Sequence, residues 1–175
     1  MRYVCIDFET NGFPNKNGKY KDWTLPFSSF PIQVSVDIVD EDGEVSHAYD
    51  TVIAGATSLA YWVKQNVPVG LEDISHGRAF ADVVGDLAQI LQLGDTIVAH
   101  NASFDLDLVL ARTARRLGID SPDLRKLLQA PRFCTLRCAY TKGVFGARGT
   151  QLKNLCAHFE IPLEGRTTRP QTVPL

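Results

Sequence analysis

Asp7 and Glu9 stand two residues apart in the run Tyr3-Val4-Cys5-Ile6-Asp7-Phe8-Glu9-Thr10-Asn11-Gly12, which reads as a strand. Side chains alternate between the faces of a strand, so the two carboxylates share one face. Like charges that close repel, and burial adds desolvation, so a chain that places them at the end of an apolar strand needs compensation. A divalent cation supplies it most simply. Hard oxygen donors suit magnesium or manganese, and such a pair leaves coordination positions open for phosphate and water, which points to phosphoryl chemistry. For an isolated Asp-x-Glu, the plainer reading is a strand-end pair facing water. The third acid changes the balance: Asp95-Thr96-Ile97-Val98-Ala99 reads as a short strand, followed at once by His100-Asn101-Ala102-Ser103-Phe104-Asp105 and a helical pattern. Ser103 is expected to be the N-cap of that helix, Asp105 to sit in its first turn where the dipole favours a negative charge, and Asn101 to occupy the turn. Taken singly, Asp105 is a helix-start residue. Taken together, three acids converge at the carboxyl ends of neighbouring strands, where α/β sheets place their chemistry.

At these residues the chain resembles the DEDD, or DnaQ-like, 3′→5′ exonucleases. Asp7-Phe8-Glu9-Thr10 is similar to the family's first motif and His100-Asn101-Ala102-Ser103-Phe104-Asp105 to its second. In the family's order come Ile74-Ser75-His76-Gly77 with Phe80-Ala81-Asp82-Val83, then Phe133-Cys134-Thr135-Leu136, then Leu152-Lys153-Asn154-Leu155 leading to Phe159-Glu160-Ile161-Pro162-Leu163. The resemblance implies an α/β ribonuclease-H-like fold, a mixed five-stranded sheet flanked by helices. It also implies two-metal hydrolysis of terminal phosphodiesters with Mg2+ or Mn2+. Asp7 would bridge the ions, with Glu9 on the first and Asp105 on the second. Phe8 and Thr10 would line the pocket of the terminal nucleotide, and Asn101 would order the helix start. The implied partners are single-stranded DNA or RNA 3′ ends, and the resemblance leaves room for a polymerase or other protein partner.

The resemblance departs at the family's third motif, a histidine or tyrosine ahead of a fourth aspartate. By the spacing of the histidine branch these positions fall on Arg169 and Pro174, and no acid follows Glu164 in the sequence. Two readings follow: an exonuclease impaired in this chain, or a catalytically inactive nucleic-acid-binding or protein-interaction module that keeps the fold.

The elements needed to hold such a site are legible. Strands are expected at Val4–Phe8, Ile32–Val39, Val45–Ile53, Thr96–Ala99 and Phe133–Leu136, with Asp42-Gly43 turning the second into the third. Helices are expected at Leu59–Lys64, Ala79–Leu93 and Asp105–Leu117, the last ended by Gly118, with a loop carrying Pro122 and Pro131 after it. Between Gly12 and Pro31 a long connection holds Lys16, Lys19, Lys21 and Trp23; Trp23 is a candidate to stack on a base, against a solvated loop as the plainer reading. The cluster Arg112, Arg115 and Arg116 reads as a solvated face.

With 175 residues, 45% of them apolar, the chain is long enough to bury a full core, and one domain spanning 1–175 is expected. Cys5, Cys134, Cys138 and Cys156 form no Cys-x-x-Cys pair, which argues against a zinc site and for reduced thiols. No leader pattern or membrane-length apolar stretch is seen, so a soluble intracellular protein, cytoplasmic or nucleoid or nuclear, is expected. The net charge of −2 discriminates nothing, because a local groove and metal ions suffice to hold nucleic acid.

Overall fold

β1 (Tyr3–Thr10) is the central strand of a mixed sheet in a computed structural model that describes residues 1–12, 29–141 and 150–162. Its alternation is the physical cause of its place: Val4, Ile6, Phe8 and Thr10 are buried on one face, while Tyr3, Cys5, Asp7 and Glu9 turn to the other. β2 (Pro31–Val39) pairs antiparallel with β1, and β3 (Val45–Val52) antiparallel with β2. On the other side β4 (Thr96–Ala99) pairs parallel with β1, and β5 (Arg132–Cys134) parallel with β4, giving the order β3-β2-β1-β4-β5. The architecture is the expected α/β one, a five-stranded mixed sheet with flanking helices.

Two short helices, α1 (Tyr61–Asn66) and α2 (Leu71–Ser75), precede α3 (Phe80–Ile90). The apolar positions Phe80, Val83, Val84 and Leu87 are buried at helical spacing, and α3 packs on the helix at Pro122–Gln129. Gly77, just before α3, runs against the end of β3 so closely that a Cβ would stand 2.8 Å from the Ala54 nitrogen. The fourth helix, α4, spans Ser103–Ala111 in a π winding and continues as an ordinary α-helix over Arg112–Arg116. Then come α5 (Pro122–Gln129), α6 (Thr135–Thr141) and α7 (Leu152–His158). The core lies between the sheet and these helices, with Ile32, Val34, Val36, Val83, Ile97, Leu106, Val109 and Leu110 almost wholly enclosed. No helix among the described residues is long and apolar enough to cross a membrane.

Several local expectations are corrected. Pro122 does not belong to a loop: it occupies the first turn of α5, where a missing N–H costs nothing, and the Ser121 hydroxyl caps that helix by accepting the Leu124 N–H at 3.1 Å. Ser103 is the first helical residue and not the N-cap; Ala102 holds that position without a side-chain bond. The last strand ends at Cys134, and Thr135 and Leu136 begin α6.

Asp95 fastens the start of β4 to the start of β1. It is 4% exposed and receives Arg2 Nε at 3.0 Å, Arg2 Nη2 at 2.6 Å and the Gln92 N–H at 2.7 Å. The Arg2 hydrogen bonds, outweighing desolvation, hold its carboxyl below the usual range. A depressed carboxyl stabilises the fold above its unfolded value of about 4 and loses that contribution as pH falls through its folded value. Asp95→Ala is therefore expected to cost about 2–4 kcal/mol at pH 7 in urea unfolding, with the deficit shrinking below about pH 4. An undiminished deficit at low pH contradicts the ion pair as its source.

Candidate active site

β1 outruns its parallel neighbour. The pairing with β4 ends at Cys5 opposite Val98, so Asp7 and Glu9 lie beyond the end of that ladder, and the β1–β2 register is broken by an irregularity between Glu9 and Thr10. The gap beside Phe8 is filled from α4. Asp105 is 1% exposed, and its Oδ1 accepts the Phe8 backbone N–H at 3.2 Å. A side chain from a helix thus takes the hydrogen bond that a longer β4 would have made, and lands between Asp7 and Glu9 in the sequence of β1.

The turn that delivers Asp105 is made by Asn101, whose φ of +89° is uncommon outside glycine and is best tolerated by asparagine and aspartate. Its carbonyl accepts the Phe104 N–H at 2.7 Å. The π winding that follows buries Asp105, Leu106, Val109 and Leu110 together, so the carboxylate shares the apolar side of its helix. π winding is rare and is found frequently at functional sites.

The electrostatics follow from that burial. Desolvation first, and then the charges of Asp7 and Glu9, push the Asp105 carboxyl up to about 7, against the Phe8 hydrogen bond that lowers it. Glu9 is likewise pushed up to about 7, by desolvation and then by Asp7. Asp7 keeps the most open surface of the three, yet surrounding protein still raises it, opposed by the nearby His100. His100 is half-buried, its Nδ1 lies 2.9 Å from the Thr135 hydroxyl, and desolvation lowers its pKa, which favours the neutral ring at pH 7. Asp105 Oδ2 is buried with no hydrogen-bond partner among the described residues.

The structure therefore brings Asp7, Glu9 and Asp105 into one electrostatic neighbourhood. Among the described residues, no three His, Cys, Asp or Glu side chains form a group that closes on a metal ion. The donor set nevertheless fits a hard divalent cation in its chemistry: oxygen ligands, mutually repelling acids and one buried oxygen lacking a partner. Phe8 is buried and Thr10 is buried with its hydroxyl donating to the Gly12 carbonyl at 3.0 Å; Asn101 is exposed at the rim. Trp23 falls outside the described residues, as do Arg169 and Pro174.

Asn11 escaped the sequence reading. It is 1% exposed; its Oδ1 accepts the Phe30 N–H at 2.9 Å, its carbonyl accepts the Ala60 N–H at 2.9 Å, and its Nδ2 donates to the Ser58 carbonyl at 3.4 Å. It clamps the end of β1 to two distant segments. An amide directly after two strand carboxylates was the available signal, but its partners are too far away in sequence to be read.

No protein-family model matches the sequence, nor does any curated protein. Among solved structures, a product-bound exonuclease I superposes with a TM-score of 0.65 at 16% identity, over 92% of this chain and 39% of that one. E. coli exonuclease I in complex with a 5cy-dA13 oligonucleotide gives 0.64 at 12% identity, over 89% and 35%. An ExoI/SSB-Ct complex gives 0.63 at 15%, over 89% and 35%. The chain has the exonuclease I fold and spans less than two fifths of those chains' length.

A carboxyl raised by folding holds its proton more tightly in the folded chain, so its contribution is complete below the unfolded value of about 4 and declines as pH climbs toward about 7, the value reached by Glu9 and Asp105. Metal-free protein should accordingly lose stability between those limits, and Asp105→Asn should flatten the decline. Urea midpoints at pH 5 and 7.5 in EDTA check this; parallel pH trends for the two proteins would refute it.

Proposed function

We propose that this chain is a metal-dependent 3′→5′ exonuclease of the DnaQ-like kind, acting through a single domain on the 3′ ends of single-stranded DNA or RNA. The observation that carries the reading is Asp105: a helix-borne carboxylate buried against the backbone of the strand that bears Asp7 and Glu9, with one oxygen left unpartnered. A structural acid would be paired or replaced by a neutral residue, because an unsatisfied buried charge costs several kcal/mol. A cluster of raised acids is better explained as a site that gains a cation in use.

In this reading Asp7, Glu9 and Asp105 hold Mg2+ or Mn2+, which would supply charge stabilisation at the scissile phosphate and an activated water. The chain's own residues do the rest. Phe8 and Thr10 shape the place of the terminal nucleotide at the end of β1, Asn11 holds that end rigid, and Asn101 fixes the turn that aims Asp105. Neutral His100, anchored to Thr135, sits beside Asp7 as a hydrogen-bonding group. The exonuclease I complexes with an oligonucleotide and with SSB-Ct support a single strand as ligand, and a protein partner belongs to the same proposal.

The sequence has neither a fourth acid nor a histidine at the third-motif positions. A positioned base contributes about 10²–10⁴-fold, so hydrolysis by this chain alone is expected to be weak. With Arg169 and Pro174 at the positions that spacing assigns to the third motif, the second reading is a binding module without turnover.

The test is direct. Mn2+ should raise the melting temperature of the wild-type chain, Asp7→Ala should abolish that rise, and a 5′-labelled single strand should shorten slowly from its 3′ end only with the wild type. Metal stabilisation without shortening selects the binding module. No metal response in the wild type refutes both the ligand set and the nuclease reading.

A further inference from the structure

The two edges of the sheet are unlike. β5 is three residues long, and so short an edge offers little to another strand. β3 closes the other edge with eight residues, Val45-Ser46-His47-Ala48-Tyr49-Asp50-Thr51-Val52, and among the described residues it pairs as a strand only with β2. It contains neither proline nor lysine, the residues that commonly keep an edge from pairing. Only its carboxyl end is taken, where the Val52 carbonyl accepts the Arg78 N–H at 2.9 Å. The Ile53 N–H donates to the Ile32 carbonyl of β2 at 2.8 Å. Ile53 thus directs its backbone groups toward β2 and Val52 directs its own away, so Asp50, two residues back, also turns its N–H and carbonyl to the open side.

One irregularity decides what such an edge can accept. Val36 lies opposite Tyr49 and Asp37 opposite His47, which leaves Ala48 as an extra residue on β3. Beyond it the alternation changes phase. Val52, Asp50, His47 and Val45 lie opposite Gln33, Ser35, Asp37 and Val39, and so all stand on the sheet face that carries Asp7 and Glu9. In a regular strand, residues three apart point to opposite faces; here His47 and Asp50 share one.

The strand therefore reads alike, in chemistry, from either end. Laid antiparallel on a second copy about a two-fold axis between Ala48 and Tyr49, it sets His47 against Asp50, Ser46 against Thr51 and the small Ala48 against the Tyr49 ring, each pair occurring twice. Without the extra residue this register would put the partners on opposite faces. The polar atoms are available as well. His47 Nδ1 lies 3.0 Å from Asp37 and Asp50 Oδ1 accepts Gln33 Nε2 at 2.9 Å, so His47 Nε2 and Asp50 Oδ2 have no partner among the described residues.

We propose that β3 is the interface of a homodimer, in which two copies join edge to edge into one ten-stranded sheet, with His47 of each chain paired to Asp50 of the other. The faces bearing Asp7 and Glu9 then lie on the same side of the joined sheet, and the two β1 strands, five strand spacings apart, stand about 24 Å from each other. The interface is separate from the acidic crevice and does not depend on the exonuclease reading.

Sedimentation velocity of the full chain in EDTA tests it. Wild type should run as a dimer, at twice the 19.3 kDa of the chain, at micromolar concentration. His47→Glu sets a second acid against Asp50, and Asp50→Lys sets a cation against His47, each at two symmetry-related places, so either variant alone should dissociate about tenfold or more readily. An equimolar mixture of the two should recover a dimer, because the introduced glutamate then faces the introduced lysine while native His47 faces native Asp50. Hydrogen exchange on the wild type needs no substitution: the Asp50 amide should be protected at high concentration and lose that protection on dilution. Melting curves of the variants should match wild type, and where they do not, the exchange measurement decides. A wild type that is monomeric at high micromolar concentration overturns the proposal, as does a dimer that neither substitution weakens, or an Asp50 amide that exchanges equally at every concentration. Folded variants that dissociate singly but recover no dimer on mixing contradict the His47–Asp50 register and overturn it too.

Discussion

The contact between the Asp105 carboxylate and the Phe8 backbone N–H is the constraint around which the candidate site is arranged. It is a single hydrogen bond of 3.2 Å, and on its own it contributes little to net stability. Its importance lies in what it requires: β4 must stop early, α4 must begin beside the end of β1, and a carboxylate must be buried where water cannot solvate it. The cost of that burial appears as the raised pKa values of Asp105 and Glu9 and as the unpartnered Oδ2. Such a cost is tolerated where function needs it, and a divalent cation would remove it.

The surrounding structure reads as support for this one juxtaposition. The parallel ladder ends at Cys5 and Val98, freeing the Phe8 N–H. Asn101 takes a backbone conformation that costs most residues about 1 kcal/mol or more, and the π winding after it turns Asp105 inward with Leu106. Asn11 ties down the end of β1, and the Arg2–Asp95 pair fixes the strand starts at the opposite end of the same ladder. His100 and Thr135 then join β4 to α6, so the acidic crevice and a cavity lined by Arg132 and Arg137 are built on a common junction.

How much of this was legible depended on the range of the interaction. The Asp7–Glu9 pair was readable because strand alternation is strictly local, and Asp105 because the Thr96–Ala99 strand, its turn and its helix are contiguous. The first four strands followed from apolar and β-branched runs and from Asp42-Gly43, whereas the strand at Phe133 and the mixed sheet were expected from the family resemblance. The winding of α4 was not readable: over nine residues, α and π periods spread Leu106, Val109 and Leu110 over a similar arc, so the apolar pattern does not distinguish them. Pro122 was misread as a loop residue although Ser121 and Pro122 carry the cap and first-turn signature of a helix start. The Asn11 clamp and the cavity beside α6 arise from tertiary contacts that no local pattern encodes. Trp23 lies outside the described residues.

The central claim is that the unpartnered oxygen of Asp105 is a cation ligand. Crystals grown with Mn2+ and measured at the manganese absorption edge test it without reference to turnover. The account predicts an anomalous peak about 2.0–2.2 Å from Asp105 Oδ2, shared with an oxygen of Asp7 or Glu9 and lost in Asp105→Asn crystals. No peak at the end of β1 at saturating Mn2+, with Asp105 still holding only the Phe8 N–H, would contradict it.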